Sequence, residues 1–411
     1  MFNQEYGLIF IAGMGQVRKL IFIPLFVAIL VCQMAAYASA YRTEHVVVVL
    51  IDGVRYTESL GDTTGIYCPR LTALAEYAVV HDSAFNDSIT TTRYGIPGTW
   101  MGRFHVLQDT VYQGNNVEFS RWPTFWEYAR HDLALPQNKA IYITPDYGSG
   151  TWLPSFYPGY GPAYWPRFVQ PAISDDNNQV DFDSARVVLE RDHPVVSYIY
   201  LPDTDHAGHS GIWADYIAEI RQADSLTNEL WNIIQNDTVM ADKTTMLVTN
   251  DHGRHDDAHG GFQGHGDSCL GCRHVMMFAI GPDFKRGVRL GAPRASIRDI
   301  ARTAGELLGF SAPLSAGRVM SELFAPPCDY IPGDVNGNGW VNGIDVTFFV
   351  AYLKGIGSPP PDSCDIGQGR FYVAADANGD CSVNGIDVLY MVNYFKGGPE
   401  ILHCPDYSPG R

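Results

Sequence analysis

Continuous apolar runs alternate with stretches of helical periodicity along most of this chain. His45–Ile51 is an almost unbroken β-branched run closed by Asp52-Gly53, the pattern of a parallel strand buried on both faces. Ala140–Thr144, Val195–Leu201, Thr245–Thr249 and Val275–Ile280 repeat the pattern. Between them, Arg70–Tyr77, Trp213–Ile234 and Ser296–Leu308 place apolar residues at helical spacing. This alternation predicts an α/β fold with a mostly parallel sheet flanked by helices. Tyr147 to Phe168 is crowded with Tyr, Trp, Pro and Gly and reads as part of an insertion over the carboxyl edge of the sheet. The pattern ends near Leu323. Ala325-Pro326-Pro327-Cys328 then marks a linker over 324–332. Two similar segments fill 333–400, and 401–411 is read as a tail.

The N-terminus has a different character. Arg18 and Lys19 precede the apolar run Leu20–Val31, and Ala38-Ser39-Ala40 has the small residues of a cleavage site. Residues 1–40 are therefore expected to be a signal peptide, and the run is too short for a stable membrane span in the mature form. Cys32 lacks the small residues of a lipobox before it. The chain of 411 residues is 12% aromatic, with 25 Pro and 41 Gly, which suits an exported protein with long structured loops. Export predicts a secreted, extracellular, periplasmic or cell-surface protein. Seven cysteines follow residue 40, and an odd number leaves at least one thiol free or bonded to another chain. Cys269 and Cys272 form a lone C-x-x-C, expected to close a local disulfide.

The formal net charge of −17 speaks against a nucleic-acid backbone as partner, because phosphate contacts need clustered Lys and Arg. It suits carboxylates gathered around cations. The two C-terminal segments supply such a pattern. Asp334, Asn336, Asn338, the Trp340 carbonyl and Asp345 occupy positions 1, 3, 5, 7 and 12 of a loop. Asp376, Asn378, Asp380, the Ser382 carbonyl and Asp387 repeat it, each followed by an apolar helical stretch. Calcium takes six to eight oxygen ligands from this arrangement, so two calcium ions are expected. Gly339 stands at the turn position of the first loop and Cys381 departs from it in the second. With Asp at position 12 and helices after the loops, residues 331–398 resemble a type I dockerin. The resemblance implies a small all-α calcium-binding domain and a cohesin-like partner, or docking within the chain. The Ser/Thr pair of cellulosomal dockerins is replaced by Gly343-Ile344 and Gly385-Ile386.

A second constellation gathers at predicted strand ends, where open α/β sheets bind ligands. Asp52 closes the first strand. Asp203-Thr-Asp205-His206-Ala-Gly-His209 follows another, and Asn250-Asp251-His252-Gly253 a third, with Gly264-His265-Gly266 soon after. Carboxylate and imidazole clusters of this kind hold zinc-type ions, and two such ions can clamp attacking and leaving oxygens. Thr90, Thr91 and Thr92 are candidate nucleophiles that chemistry alone does not separate.

Taken together, residues 44–323 resemble the alkaline phosphatase superfamily, and most of all its phosphodiesterase and phosphoglycerate mutase branch. The resemblance implies metal ligands at Asp52, Asp251 and His252 for one ion and Asp205, His209 and His265 for the other, with zinc or manganese bound. It also implies a nucleophilic, metal-bound Thr. Thr92 stands ten residues before Gly102, the family spacing, with Thr91 next. Arg93-Tyr94-Gly95 departs from the Asn or Pro expected after the nucleophile. Sulfatases share this fold but use a modified Cys or Ser in C/S-x-P-S-R, and Cys68-Pro-Arg lacks that spacing. The expected activity is hydrolysis of a phosphate ester through a phosphothreonine. A sulfatase- or phosphonatase-like hydrolase and a non-catalytic calcium-dependent interaction protein are the alternatives.

Overall fold

The structure, a computed structural model, describes residues 41–144, 152–170, 178–325, 330–365, 370–404 and 407. The expected signal peptide lies outside them, as do residues 326–329 of the linker. Among the described residues no helix is long and apolar enough to cross a membrane.

An eight-stranded sheet runs in the order Val288–Leu290, Val79–His81, Met277–Ile280, Thr244–Thr249, His45–Ile51, Val196–Leu201, Ala140–Ile143, Arg167–Val169. Only Met277–Ile280 runs against its neighbours. The central strand His45–Ile51 pairs in parallel with both neighbours, Val46 lying opposite Thr245 and Val196. Its seven residues are all buried, because helices cover both faces. Apolar residues pack on one face around Val48, Leu50, Trp100, Phe125 and Trp126. On the other, Val47, Val49 and Ile51 meet Tyr216, Ile220 and Leu230 of the helix Trp213–Asn236.

Helix starts follow local chemistry. Thr124 caps Phe125–Asp132 in a reciprocal capping box with Glu127. In the C-terminal segments, Asn342 caps Gly343–Leu353 and Asn384 caps Gly385–Phe395, each boxed with the Asp three residues on. These two helices enclose a small core of Val335, Phe349, Ala375, Ala377 and Met391. Residues after the second helix remain attached: the Leu402 N–H donates to the Ala377 carbonyl at 2.9 Å, and Cys404 is disulfide-bonded to Cys381.

Two sequence expectations change in detail. Val275–Ile280 is not one strand. The Asn250 side chain accepts the Met276 N–H at 2.7 Å, so His274–Val275 turns aside to pair with Ala84–Phe85 while Met277–Ile280 joins the main sheet. The aromatic segment is not wholly an insertion over the sheet. Its last residues, Arg167–Val169, form the edge strand beside Ala140–Ile143. Earlier aromatics pack on one another, Phe156 against Trp165 at 5.1 Å and Tyr112 against Trp165 at 5.2 Å. Residues 145–151 fall outside the described part.

Phe278 is fully buried on the reversed strand. Phe278→Ala is expected to lower unfolding free energy by about 3–5 kcal/mol, from lost burial and the cavity left behind. Urea titration measures it; an unchanged midpoint would contradict this packing.

Candidate metal centre

Strand ends carry the first residues of the site. Asp52 follows His45–Ile51 and is 1% exposed; its Oδ2 accepts the Tyr200 hydroxyl at 2.5 Å. Asp251 and His252 follow Thr244–Thr249 and are fully buried. His252 Nε2 lies 3.5 Å from Asp52 Oδ1 and 3.2 Å from Asp251 Oδ2. Thr92 opens the helix Thr92–Met101, and its Oγ1 stands 3.3 Å from the same Nε2. The ten-residue spacing from Thr92 to Gly102 is thus the length of this helix. Gly102 ends it in a left-handed turn, and a Cβ there would meet Ser315 Oγ at 2.0 Å.

The second group sits on a helix, where the sequence suggested only a cluster after a strand. Asp203–Ser210 is helical, so Asp205 and His209 share one face, with Asp205 Oδ2 3.2 Å from His209 Nε2. His265 Nε2 lies 3.6 Å from Asp205 Oδ1 and 3.0 Å from His209 Nε2. The His252 and His265 rings stack at 4.0 Å. All seven residues expected at the site are therefore neighbours. Their ligand atoms form two overlapping groups, Asp52–Asp251–His252 and Asp205–His252–His265, with atoms in each within 4.8 Å of one another.

Electrostatics fit a cation. Burial, then the charges of Asp251 and Asp205, raise the Asp52 carboxyl well above its ordinary range. Burial pushes Asp251 up to about 7. Asp52 Oδ1 and Asp251 Oδ2 are buried without a hydrogen-bond partner, which is costly unless an opposite charge faces them. His252 Nδ1 faces the Gly253 carbonyl and His265 Nδ1 the Thr90 carbonyl, both at 2.9 Å. Those contacts leave each Nε2 to act as a ligand. Burial, then the charge of His252, holds the His265 imidazole down at about 4, so it is neutral. Burial opposes ionisation of Asp205, yet the hydrogen bond from His209 and the charges of His252 and Arg254 outweigh it and keep the carboxyl ionised.

Several supports were not legible in the sequence. Arg254 is fully buried and donates to both the carbonyl and the carboxylate of Asp205. Asn86 Nδ2 donates to the Asp251 carbonyl at 2.8 Å. Gly53 has φ 65°, and a Cβ there would lie 2.4 Å from Asp205 Oδ1, so the site needs glycine. Other candidates turn elsewhere. Arg93 pairs with Glu118. Asp203 accepts the Asn178 N–H at 2.8 Å, and His206 is exposed. The expected Cys269–Cys272 disulfide is absent: both are buried free thiols, as is Cys68. Cys269 instead caps the short helix Leu270–Arg273, its Sγ accepting the Cys272 N–H at 3.4 Å.

In the C-terminal loops the position 1 and 12 carboxylates turn inward. Asp334 and Asp345 are 2% and 0% exposed, and Asp376 and Asp387 are both 0%. Asp334 accepts the Gly339 N–H at 2.6 Å, and Asp345 the Asn336 N–H at 3.2 Å. Asp376 accepts the Cys381 N–H at 2.9 Å, and Asp387 the Asn378 N–H at 3.3 Å. Asn338 and Asp380 close the loop turns onto the Trp340 and Ser382 N–H groups, both at 2.9 Å. Cys381 takes the left-handed conformation, φ 61°, where Gly339 has 87°. Burial pushes Asp376 up to about 6.

Comparison with known proteins follows this geometry. Residues 172–312 match the family model described as the Metalloenzyme superfamily, and residues 332–396 match the dockerin type I domain. The fold is alkaline phosphatase-like, with a C-terminal dockerin domain. The metalloenzyme match spans Asp205, His209, Asp251, His252 and His265, while Asp52 and Thr92 precede it. A 2-O GAG sulfatase is similar in structure, with TM-score 0.51 and 11% identity over 68% of this chain and 73% of its own. A phosphonate monoester hydrolase of Agrobacterium radiobacter aligns at TM-score 0.47, 14% identity, 68% and 77% coverage. An alkaline phosphatase superfamily protein from Vibrio parahaemolyticus aligns at 0.45, 14%, 69% and 71%. No curated protein matches the sequence.

Because Asp251 is held at about 7 in the metal-free chain, it carries a proton at pH 6 that a binding cation must displace. Zinc affinity of the N-terminal domain is therefore expected to rise between pH 6 and pH 8 in competitive chelator titrations. Affinity independent of pH would contradict this.

Proposed function

We propose that this protein is an exported metal-dependent hydrolase of phosphate esters, of the phosphodiesterase and phosphoglycerate mutase type, with Thr92 as nucleophile. The observation that carries the reading is the Thr92 hydroxyl, 3.3 Å from His252 Nε2 beside two partnerless buried carboxylate oxygens. Residues 41–323 form the catalytic domain, 324–332 the linker and 333–400 the calcium-binding module. Asp52, Thr92, Asp251 and His252 would hold one divalent cation, and Asp205, His209 and His265 the other; imidazole and carboxylate donors suit zinc, with manganese next. Bound cations would lower the pKa of the Thr92 hydroxyl and neutralise charge on the transferring group.

The chain's own groups do the rest. Thr92 stands at the first turn of a ten-residue helix, whose N-terminal dipole favours an anionic phosphoryl group. Thr92 Oγ1 bonds to phosphorus as the ester P–O bond breaks, its proton passing to solvent while the departing alkoxide takes one up. Water then cleaves the phosphothreonine, releasing phosphate and restoring the hydroxyl. Arg254 fixes Asp205, and Thr90 fixes the His265 ring, so the ligands meet a cation without reorganising. A sulfatase reading lacks its nucleophile: Cys68 stands at the start of the helix Pro69–Leu74, and its thiol faces the Glu58 carbonyl.

Thr92→Ala is expected to cut turnover of p-nitrophenyl phosphate and its bis ester at least about 10³-fold, with both cations retained by elemental analysis. Retained activity moves the nucleophile to Thr91 or Thr90. Activity that survives chelators overturns the cation requirement, and faster turnover of sulfate or phosphonate esters reassigns the substrate class.

The C-terminal module is read as a calcium-dependent dock for a cohesin-like partner. Ile344 and Ile386 hold matching loop positions and are 62% and 58% exposed, apolar surface suited to a partner. Asp345→Ala and Asp387→Ala are each expected to lose one of two calcium ions in equilibrium dialysis. Retention of both ions would contradict the ligand assignment.

A further inference from the structure

Two thiols, an imidazole and a carboxylate converge beside the catalytic residues without belonging to them. Ligand atoms of His255, Asp267 and Cys272 lie within 4.8 Å of one another. Cys269 borders the group: Asp267 accepts its backbone N–H at 2.9 Å and interacts with both thiols, while ligand atoms of Asp256 and His259 also lie within 4.8 Å of the Cys269 sulfur. Cys269 Sγ accepts the Cys272 N–H at 3.4 Å. His255 Nε2 is buried, makes no hydrogen bond, and stands 3.3 Å from Asp267 Oδ2. Cys269 and Cys272 are 8% and 0% exposed and remain free thiols, although the same chain joins Cys381 to Cys404.

We propose that His255, Asp267, Cys269 and Cys272 bind one zinc-type ion, at a structural site separate from the catalytic pair. Two sulfurs, one nitrogen and one oxygen make a closed four-ligand set, which suits zinc and excludes calcium or magnesium. Such an ion explains why two neighbouring thiols stay unbridged, and it supplies the partner that His255 Nε2 lacks. The catalytic ligands bracket it. The Gly253 N–H, next to His252, donates to the Cys272 carbonyl at 2.8 Å. Thr90 donates to the Asp267 carbonyl at 2.7 Å and receives His265 Nδ1 on its own carbonyl. The ion would therefore clip the loop between His252 and His265 and hold the threonine run in place. It is a positioning site, and it stands whether or not the domain hydrolyses phosphate esters.

The test loads the full chain with cobalt(II) and counts zinc in the zinc-grown protein. The wild type is expected to show a near-ultraviolet thiolate-to-cobalt charge-transfer band. Cys269→Ser/Cys272→Ser should lose that band and one zinc equivalent. His255→Ala should lose the same equivalent with both thiols intact. A cobalt-loaded wild type, folded by circular dichroism but without the band, overturns the site. So does peptide mapping that finds Cys269 and Cys272 joined as a disulfide.

Discussion

Asp52, Asp205 and Asp251 crowd around one imidazole, His252, in a place from which water is excluded. Like charges so placed repel strongly, and burial removes the solvent that would screen them. One of the three has a protein cation beside it, since Arg254 donates to Asp205. Asp52 and Asp251 face the His252 imidazole at 3.5 and 3.2 Å, and a bound cation would add the balancing charge. The rest of the domain is arranged around that cluster. A central strand buried on both faces ends at Asp52, and its neighbours deliver Asp205, Asp251 and His252 to the same edge. Glycine at position 53 lets Asp205 approach, Tyr200 donates to the Asp52 carboxylate, and Asn86 donates to the Asp251 carbonyl.

The long buried strands and the helices Trp213–Asn236 and Ile300–Leu308 were legible because each is long enough to express its period. The strands Val79–His81, Val288–Leu290 and Arg167–Val169 have three residues each, too few for alternation to register. The candidate ligands were readable as residue types at strand ends, and resemblance supplied their grouping. What could not be read was support from distant positions. Arg254 looks like one more polar residue in a polar loop, yet it is fully buried. Thr92 gave no sign of opening a helix, because Gly95, Pro97 and Gly98 are poor helix formers. The helix is held by its burial instead, with Ile96, Trp100 and Met101 in the core. The C-x-x-C shows the opposite failure: spacing suggested a disulfide, but both cysteines are free thiols, Cys269 capping a short helix.

Both halves of the chain use one device. In the C-terminal loops carboxylates fold inward against backbone N–H groups, and in the N-terminal site they fold inward against Tyr200, Arg254 and His252. Part of the acidic excess behind the formal charge of −17 therefore sits at candidate ion sites. The alkaline phosphatase-like domain keeps its carboxylates beside imidazoles, the softer donor set, while the dockerin keeps its own beside amide oxygens, the harder one. On the proposed assignment, that difference would suit two kinds of cation in separate places. A fold of this kind hosts several ester hydrolyses, so the nucleophile decides which chemistry runs.

The most direct measurement is acid-quench trapping. The enzyme is mixed with a phosphate ester in turnover, quenched in acid, digested and mapped by mass spectrometry. The account predicts a single phosphoryl group on Thr92, appearing with the burst of released alcohol. A phosphoryl group on another residue, or turnover with no modified peptide at any time, would contradict it.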